Sequence, residues 1–368
     1  MANSGIYSND KMAWWFARDG GKLPDVPKQV ELILSDLCNM SCDFCAFRLE
    51  GYTNEDFAKG VELAKYGKNN PKRWIPRERA LALVDEIKRA GVLGLQLTGG
   101  GEVTVHPHHE EIMVKALDVG LKCSLVSNGL KWSAALKSSI LPRFEWVRVS
   151  IDAGTAETFA RTRQTPIDAF DKVVQNTRSL AGWVRASKSS CVLGVGYVVT
   201  PENWREIIEG VAVAKSTGAA YVRMSAFFNP DDTKPFDSFW QEAKDMIVEA
   251  KARYDDESFC VIDLFGDRLQ DLADGRPDFE TCSYQHYTHF IGGDMRPYRC
   301  CVVSYSDHGR IAGGDYSKVA FDEFWASKER KKDMADFKAP SCVRCQFSDK
   351  NRRMQYLLSI NPPHKEFP

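Results

Sequence analysis

The chain lacks any stretch approaching about 18 uninterrupted apolar residues, so no membrane-spanning helix is expected. Met1–Asp10 holds no basic segment followed by an apolar run, so no secretory leader is read and a cytoplasmic location is expected. Charge of one sign is also missing: 49 Lys and Arg stand against 50 Asp and Glu, for a net charge of -1. That balance argues against a protein whose main work is gripping nucleic acid by neutralising phosphates. No internal repeat or low-complexity tract is present. The 368 residues are 43% hydrophobic and 27% charged, enough for a packed core in one large or two small domains.

Cysteine is abundant, with 11 residues unevenly placed. Cys38, Cys42 and Cys45 crowd early; Cys282, Cys300, Cys301, Cys342 and Cys345 crowd late. In a cytosolic chain such groups read as metal ligands rather than disulfides, so two metal sites are expected. Cys123, Cys191 and Cys260 stand alone in strand-like runs and read as buried, inert thiols.

Between about residues 29 and 226, short apolar runs alternate with helical patterns, the mark of βα units around a parallel sheet. Strands are expected at Val30–Leu34, Leu93–Leu97, Cys123–Val126, Trp146–Ile151, Val192–Val199 and Tyr221–Ser225. Helices are expected at Arg77–Ala90, His109–Val119, Ala134–Leu141, Asp168–Leu180 and Trp204–Thr217. Gly91, Gly120 and Gly218 stand just past three helix ends. Six units suit an open, partial barrel, with a doubly wound sheet as the competing arrangement. In either, reactive groups belong at the C-terminal ends of the strands. Residues 49–76 interrupt the alternation and read as an inserted lid or a solvated excursion.

The first strand leads into Cys38-x3-Cys42-x2-Cys45, where three thiolates leaving a strand can wrap one face of a cubane iron–sulfur cluster. Zinc, the alternative, normally closes its shell with four ligands, and no fourth Cys or His lies nearby. After the second strand comes Thr98-Gly99-Gly100-Gly101-Glu102, whose glycines admit a ligand close to the backbone while Glu102 offers a carboxylate. The third strand ends in Ser127-Asn128-Gly129 and the fourth in Ser150-Ile151-Asp152, with Arg163 and Arg161 beyond.

With aromatic Phe44 before the last cysteine, these motifs resemble those of the radical S-adenosylmethionine (SAM) superfamily. The resemblance implies a [4Fe–4S] cluster on Cys38, Cys42 and Cys45 whose open iron chelates the amine and carboxylate of SAM. It implies that one electron splits the sulfonium to a 5'-deoxyadenosyl radical, supplied by an external donor of flavodoxin or ferredoxin type. It also assigns SAM contacts to Phe44, Gly100, Gly101, Glu102, Ser127, Asn128, Ser150, Asp152 and Arg163. Arg163 suits a carboxylate through paired donors.

Cys282, Cys300, Cys342 and Cys345 are spaced Cys-x17-Cys and, after a gap of 41 residues, Cys-x2-Cys. The spacing resembles the SPASM or shorter twitch module, which implies a second, auxiliary [4Fe–4S] cluster. Further cysteines of the longer pattern are replaced by Asn351 and Gln355, so one auxiliary cluster is expected. Met295 stands where the hairpin of such modules usually has glycine, which puts the turn in question. Four thiolates also suit a structural zinc. Cys301 is open to three readings: alternative ligand, hydrogen-atom donor, or packed small residue.

The resulting expectation is an α/β protein with a partial (β/α)6 barrel followed by a small α+β module. Its parts are an N-terminal extension (1–28), a core (29–235), a connecting helix and strand (236–278), the auxiliary module (279–347) and a tail (348–368). The expected reaction is hydrogen abstraction from carbon of a polar small-molecule or peptide substrate. Net oxidation through the auxiliary cluster comes first. Redox-neutral epimerisation or isomerisation with Cys301 as donor comes second. Peptide or nucleic-acid modification also stands, since a balanced total charge permits local basic patches. A non-catalytic zinc protein is the alternative of a different class. The Trp14-Trp15-Phe16 run is read as capping the barrel or packing on a partner.

Overall fold

The Val- and Leu-rich runs become parallel strands because helices cover the sheet and hide its apolar face from water. The computed structural model describes residues 10–48, 74–229 and 233–359. Most of the expected insertion, Pro230–Asp232 and the C-terminal prolines lie outside them.

The core alternates β1 (Gln29–Leu32), α2 (Arg77–Arg89), β2 (Gly94–Leu97), α3 (His109–Asp118), β3 (Lys122–Ser127) and β4 (Trp146–Ser150). It continues with α4 (Ala156–Arg163), α5 (Asp168–Ala186), β5 (Val192–Val199), α6 (Ile207–Ser216) and β6 (Tyr221–Ala226). A short helix α1 (Lys11–Arg18) precedes them. All six expected strands are present. The helix expected at Ala134–Leu141 is present but widened to π geometry over Leu136–Ile140, and it tightens into a single 3-10 turn at Leu141–Arg143, where Pro142 cannot continue a regular helix. Helix α4 had no strong apolar period to announce it. Thr155 caps its N-terminus by accepting from the Thr158 amide.

Three more strands extend the sheet. Helix α7 (Trp240–Tyr254) leads to β7 (Cys260–Asp263), which pairs parallel with β6. On the other edge β8 (Thr288–Ile291) pairs parallel with β1, Glu31 standing opposite Phe290, and turns antiparallel into β9 (Pro297–Tyr298). The order is β7-β6-β5-β4-β3-β2-β1-β8-β9, an open α/β sheet and not a closed barrel. The expected boundaries near 235 and 278 thus fall inside one continuous sheet. Helices α8 (Phe265–Asp274), α9 (Tyr284–Tyr287), α10 (Phe321–Ala326), α11 (Lys328–Asp336) and α12 (Ser348–Ser359) are the remaining helices among the described residues.

Val30 and Leu32, Leu95 and Leu97, and Val147 and Val149 are fully buried in the layer under the helices. The residues between them face the other way, into a lumen, and they are polar: Glu31, Gln96 and Arg148. Trp15 and Phe16 pack on Tyr284, Tyr287 and Met354, so α1 seals the late module. Trp14 stays half-exposed.

Candidate functional site

The loop leaving β1 carries the early cysteines and is held by backbone bonds. Ser41 and Asp43 donate to the carbonyls of Arg163 and Thr162, both at 3.0 Å. Gly101 donates to the Ser35 carbonyl (3.1 Å) and Glu102 to that of Leu37 (2.8 Å). These contacts require glycine: a Cβ on Gly101 would lie 2.1 Å from the Leu37 carbonyl oxygen, and one on Gly100 would lie 2.0 Å from Asp36 Oδ1.

Glu102 is buried. Its carboxylate accepts from the Thr104 amide (3.1 Å) and hydroxyl (2.8 Å), the Ser127 hydroxyl (2.7 Å) and the Asn128 amide (2.7 Å). It thereby ties the glycine loop to the end of β3. The Asn128 side chain donates to Asn39 Oδ1 (2.7 Å) and points its amide at Cys38 Sγ, 3.9 Å away. At the end of β4, Asp152 takes a left-handed backbone (φ 54°) and accepts from the Val198 amide at 2.6 Å. It pairs with Arg163, which is 3% exposed and so buried rather than facing solvent. Arg163 Nη1 lies 3.8 Å from Cys42 Sγ, and its guanidinium stands over the Phe159 ring at 4.9 Å and the Phe44 ring at 5.8 Å. Arg161 instead donates to the Glu202 carbonyl at the surface. Ser150 ends β4 half-buried.

All 11 cysteines are free thiols. Burial pushes the Cys38 thiol up to about 12, with Glu102, Cys42 and Cys45 adding their charges in the same direction. Three crowded thiols disfavour ionisation unless a cationic centre replaces the protons. The Arg163 Nε is buried with no hydrogen-bond partner among the described residues. Clustered thiols ringed by an arginine and amide donors therefore fit a thiolate-ligated iron–sulfur cluster.

The late thiols come from three segments. Cys282 precedes α9, Cys300 follows β9, and Cys342 and Cys345 lie between α11 and α12. Cys342 feels the charges of Cys282 and Cys345, and Cys300 feels those of Cys282 and Cys342. Burial dominates at each and pushes Cys282 and Cys342 up to about 12. The set is locked by Tyr284 stacked on Phe347 at 3.8 Å and by Asn351 Oδ1 accepting from the Tyr284 amide at 3.0 Å. Asn351 thus serves packing at a position where the longer pattern has cysteine. His308 Nε2, 3.3 Å from Cys342 Sγ, also joins this set. Among the described residues no three His, Cys, Asp or Glu side chains are arranged around a single metal ion. Met295 keeps the turn with a left-handed backbone, φ 60°.

Cys301 separates from its neighbour. Cys300 is extended (φ -163°, ψ 172°), so the two side chains diverge, and Cys301 lines the lumen while Cys300 joins the late thiols. The lumen is a cavity of about 500 Å³ running from Phe47 and Gly99 beside the early loop to Lys350 on α12. Trp146 and Arg148 of β4 and Arg223 of β6 line it. Gly196 of β5 stands opposite Arg223 in register and beside the Arg148 side chain. Glu31 is the residue that motif reading passes over. A carboxylate inside the apolar run Val30-Glu31-Leu32 was the available signal. Burial raises it to about 7, against the lowering pull of Lys350 and Arg148.

Residues 32–216 match the family description "Radical SAM superfamily". A curated protein of Flammeovirga pacifica, an S-adenosylmethionine-dependent nucleotide dehydratase, is 26% identical over 129 residues, 35% of this chain and 40% of that protein. The chain therefore matches less than half the length of that relative. Among solved structures, Streptococcus suis SuiB bound to precursor peptide SuiA superimposes with a TM-score of 0.58 at 12% identity, covering 89% of this chain and 70% of SuiB. Native anSMEcpe with bound AdoMet gives 0.57 at 16% identity, covering 90% of this chain and 95% of that one. At such identities the likeness is one of fold.

Proposed function

Since the chain belongs to the radical SAM superfamily, we propose that it abstracts a hydrogen atom from carbon of a polar substrate held in the lumen. The family implies SAM, a [4Fe–4S] cluster and a source of electrons. Cys38, Cys42 and Cys45 would hold the cluster, which when bound supplies the electron that splits SAM into methionine and a 5'-deoxyadenosyl radical. Phe44, Gly100, Gly101, Ser127, Asn128, Ser150, Asp152 and Arg163 are the proposed SAM contacts. Arg163, already paired with Asp152, brings its remaining donors to the thiol loop. Glu102 is proposed to act largely through the loop it fixes, because its carboxylate already accepts four protein hydrogen bonds. The donor is proposed to be of flavodoxin or ferredoxin type, in the reducing compartment that free thiols require.

The observation that carries this reading is the polar lumen, which is lined by Phe47, two residues after Cys45, by Cys301, and by Gln346 and Phe347 directly after Cys345. Cys282, Cys300, Cys342 and Cys345 are proposed to hold an auxiliary [4Fe–4S] cluster as electron acceptor in a net oxidation. The divergence of Cys301 from Cys300 supports a second outcome, a redox-neutral reaction in which the Cys301 thiol returns a hydrogen atom to the substrate radical. Oxygen-free protein with about eight irons that forms 5'-deoxyadenosine from SAM under a strong reductant is the expected result. Colourless, zinc-bearing protein that leaves SAM intact would overturn the reading. Cys301→Ser separates the outcomes. Lost turnover with retained 5'-deoxyadenosine formation and iron content supports the donor role, and unchanged turnover supports oxidation.

A further inference from the structure

The lumen is unusual for a sheet interior because its charges come from strands that are otherwise apolar. Arg148 projects from β4 and Arg223 from β6, and Lys350 reaches in from α12. Among the described residues Lys350 has no salt bridge; its ammonium lies 5.7 Å over the Tyr284 ring and 5.6 Å over that of Phe347. Arg268 and Arg352 also line the lumen, Arg268 paired with Asp271 and Arg352 with Asp274 and Asp278. Glu31 stands on β1 within the electrostatic reach of Arg148 and Lys350, and both Tyr284 and Cys301 feel its charge. Its register partners, Gln96 on β2 and Phe290 on β8, carry no charge. Gln96 accepts from Gln29 at 3.1 Å, which sets a polar shelf beside Glu31.

We propose that the lumen takes a hydroxylated substrate bearing an anionic group, the anion held by Arg148, Arg223 and Lys350 and the hydroxyl proton transferred to Glu31. This rests on the lumen being the substrate site of the reaction proposed above. In the transfer the substrate O–H bond breaks with its electron pair kept on oxygen, and an O–H bond forms on the carboxylate; no electron enters or leaves the protein. Cations from two strands and a helix neutralise an acid group that a 500 Å³ lumen would otherwise desolvate. A carboxyl that changes protonation near neutral pH is suited to pass a proton in both directions. It sits on the same wall as Cys301, so proton and hydrogen-atom transfers would meet the same part of a substrate.

Two measurements on the anaerobically reconstituted holoprotein test this without turnover. Inorganic pyrophosphate, a compact polyanion, should bind the wild type, and the double variant Arg148→Gln/Arg223→Gln should bind it at least about tenfold more weakly. Equal affinities, or no binding to the wild type, would overturn the anion site. In infrared difference spectra a protonated-carboxyl band should vanish as pH rises through about 7 and be missing from Glu31→Gln. A band that titrates at the ordinary carboxylate value, or that persists in the variant, would overturn the role of Glu31. Stability gives a third reading. A carboxyl raised on folding loses stability as pH climbs from the unfolded value towards about 7, so Glu31→Gln should gain melting temperature over the wild type at pH 8 and not at pH 4.5. Wild-type protein that fails to split SAM would defeat the proposed function while leaving these results to be read on their own.

Discussion

The two cysteine sets are built in opposite ways. The early set sits on one loop, eight residues of sequence from Cys38 to Cys45, fixed by backbone bonds to the ends of β2 and α4. The late set is gathered from three separated segments, and side chains do most of the gathering: the Tyr284–Phe347 stack, Asn351 on the Tyr284 amide, and Arg268 on the Gln346 carbonyl, beside one main-chain bond from the Ala339 amide to the Glu280 carbonyl at 3.0 Å. A loop held by main chain tolerates side-chain change except where glycine is required. An assembly held by side chains fails when any one of them is lost. Tyr305 joins the two, donating to Asp36 just ahead of Cys38 and accepting from the Gly293 amide at 2.9 Å.

The contrast is broken most severely through the thiols themselves. Cys42→Ala should abolish 5'-deoxyadenosine formation, whereas Cys342→Ala should lose about half of the iron yet still split SAM. Iron analysis alongside product chromatography checks both, and equal iron loss in the two variants would mean that the sites assemble as one. Asn351→Ala comes next. It leaves the buried Tyr284 amide without its partner, which should cost about 1–3 kcal/mol in denaturant unfolding. The extra loss of iron should be confined to the late set.

Acid should loosen the late module through His289, which is buried among Tyr316, Phe321, Phe324 and Trp325 and has its value pushed down to about 3, chiefly by burial. The folded state keeps it neutral while the unfolded chain takes a proton below about 6.5, so stability falls as pH drops through that window. At pH 5 the loss is about 2 kcal/mol. Melting curves of His289→Gln should show a flatter pH dependence than the wild type. The smallest effect belongs to Met295→Gly. Relief of the left-handed backbone is worth about 1 kcal/mol, and lost contact of the partly buried side chain offsets it, so unfolding should shift by less than that. A larger loss would show that the side chain, not the turn, is what the hairpin needs.

Most of the core sheet is legible in the sequence because its strands carry Val and Leu on the helix-covered face and are separated by helical patterns, and β5 matches its expected bounds. The early site is equally legible, since its ligands lie on one loop. Strands β7 and β8 are harder to place. Their partners, β6 and β1, are set by tertiary packing rather than by local pattern. Glu31 is hidden for another reason. Its importance comes from Lys350, Arg148 and Cys301 converging on it, and nothing within its own strand predicts that convergence.

The parallel pairing of β1 with β8 sets an order of events during synthesis. The outer edge of β1 leaves the ribosome early and waits, unpaired, until Thr288–Ile291 is made. Only then is the edge covered and shielded from strand pairing with other chains. Closure of this edge is therefore coupled to translation past β8, and a chain truncated before β8 would carry the early thiols on an exposed, aggregation-prone border.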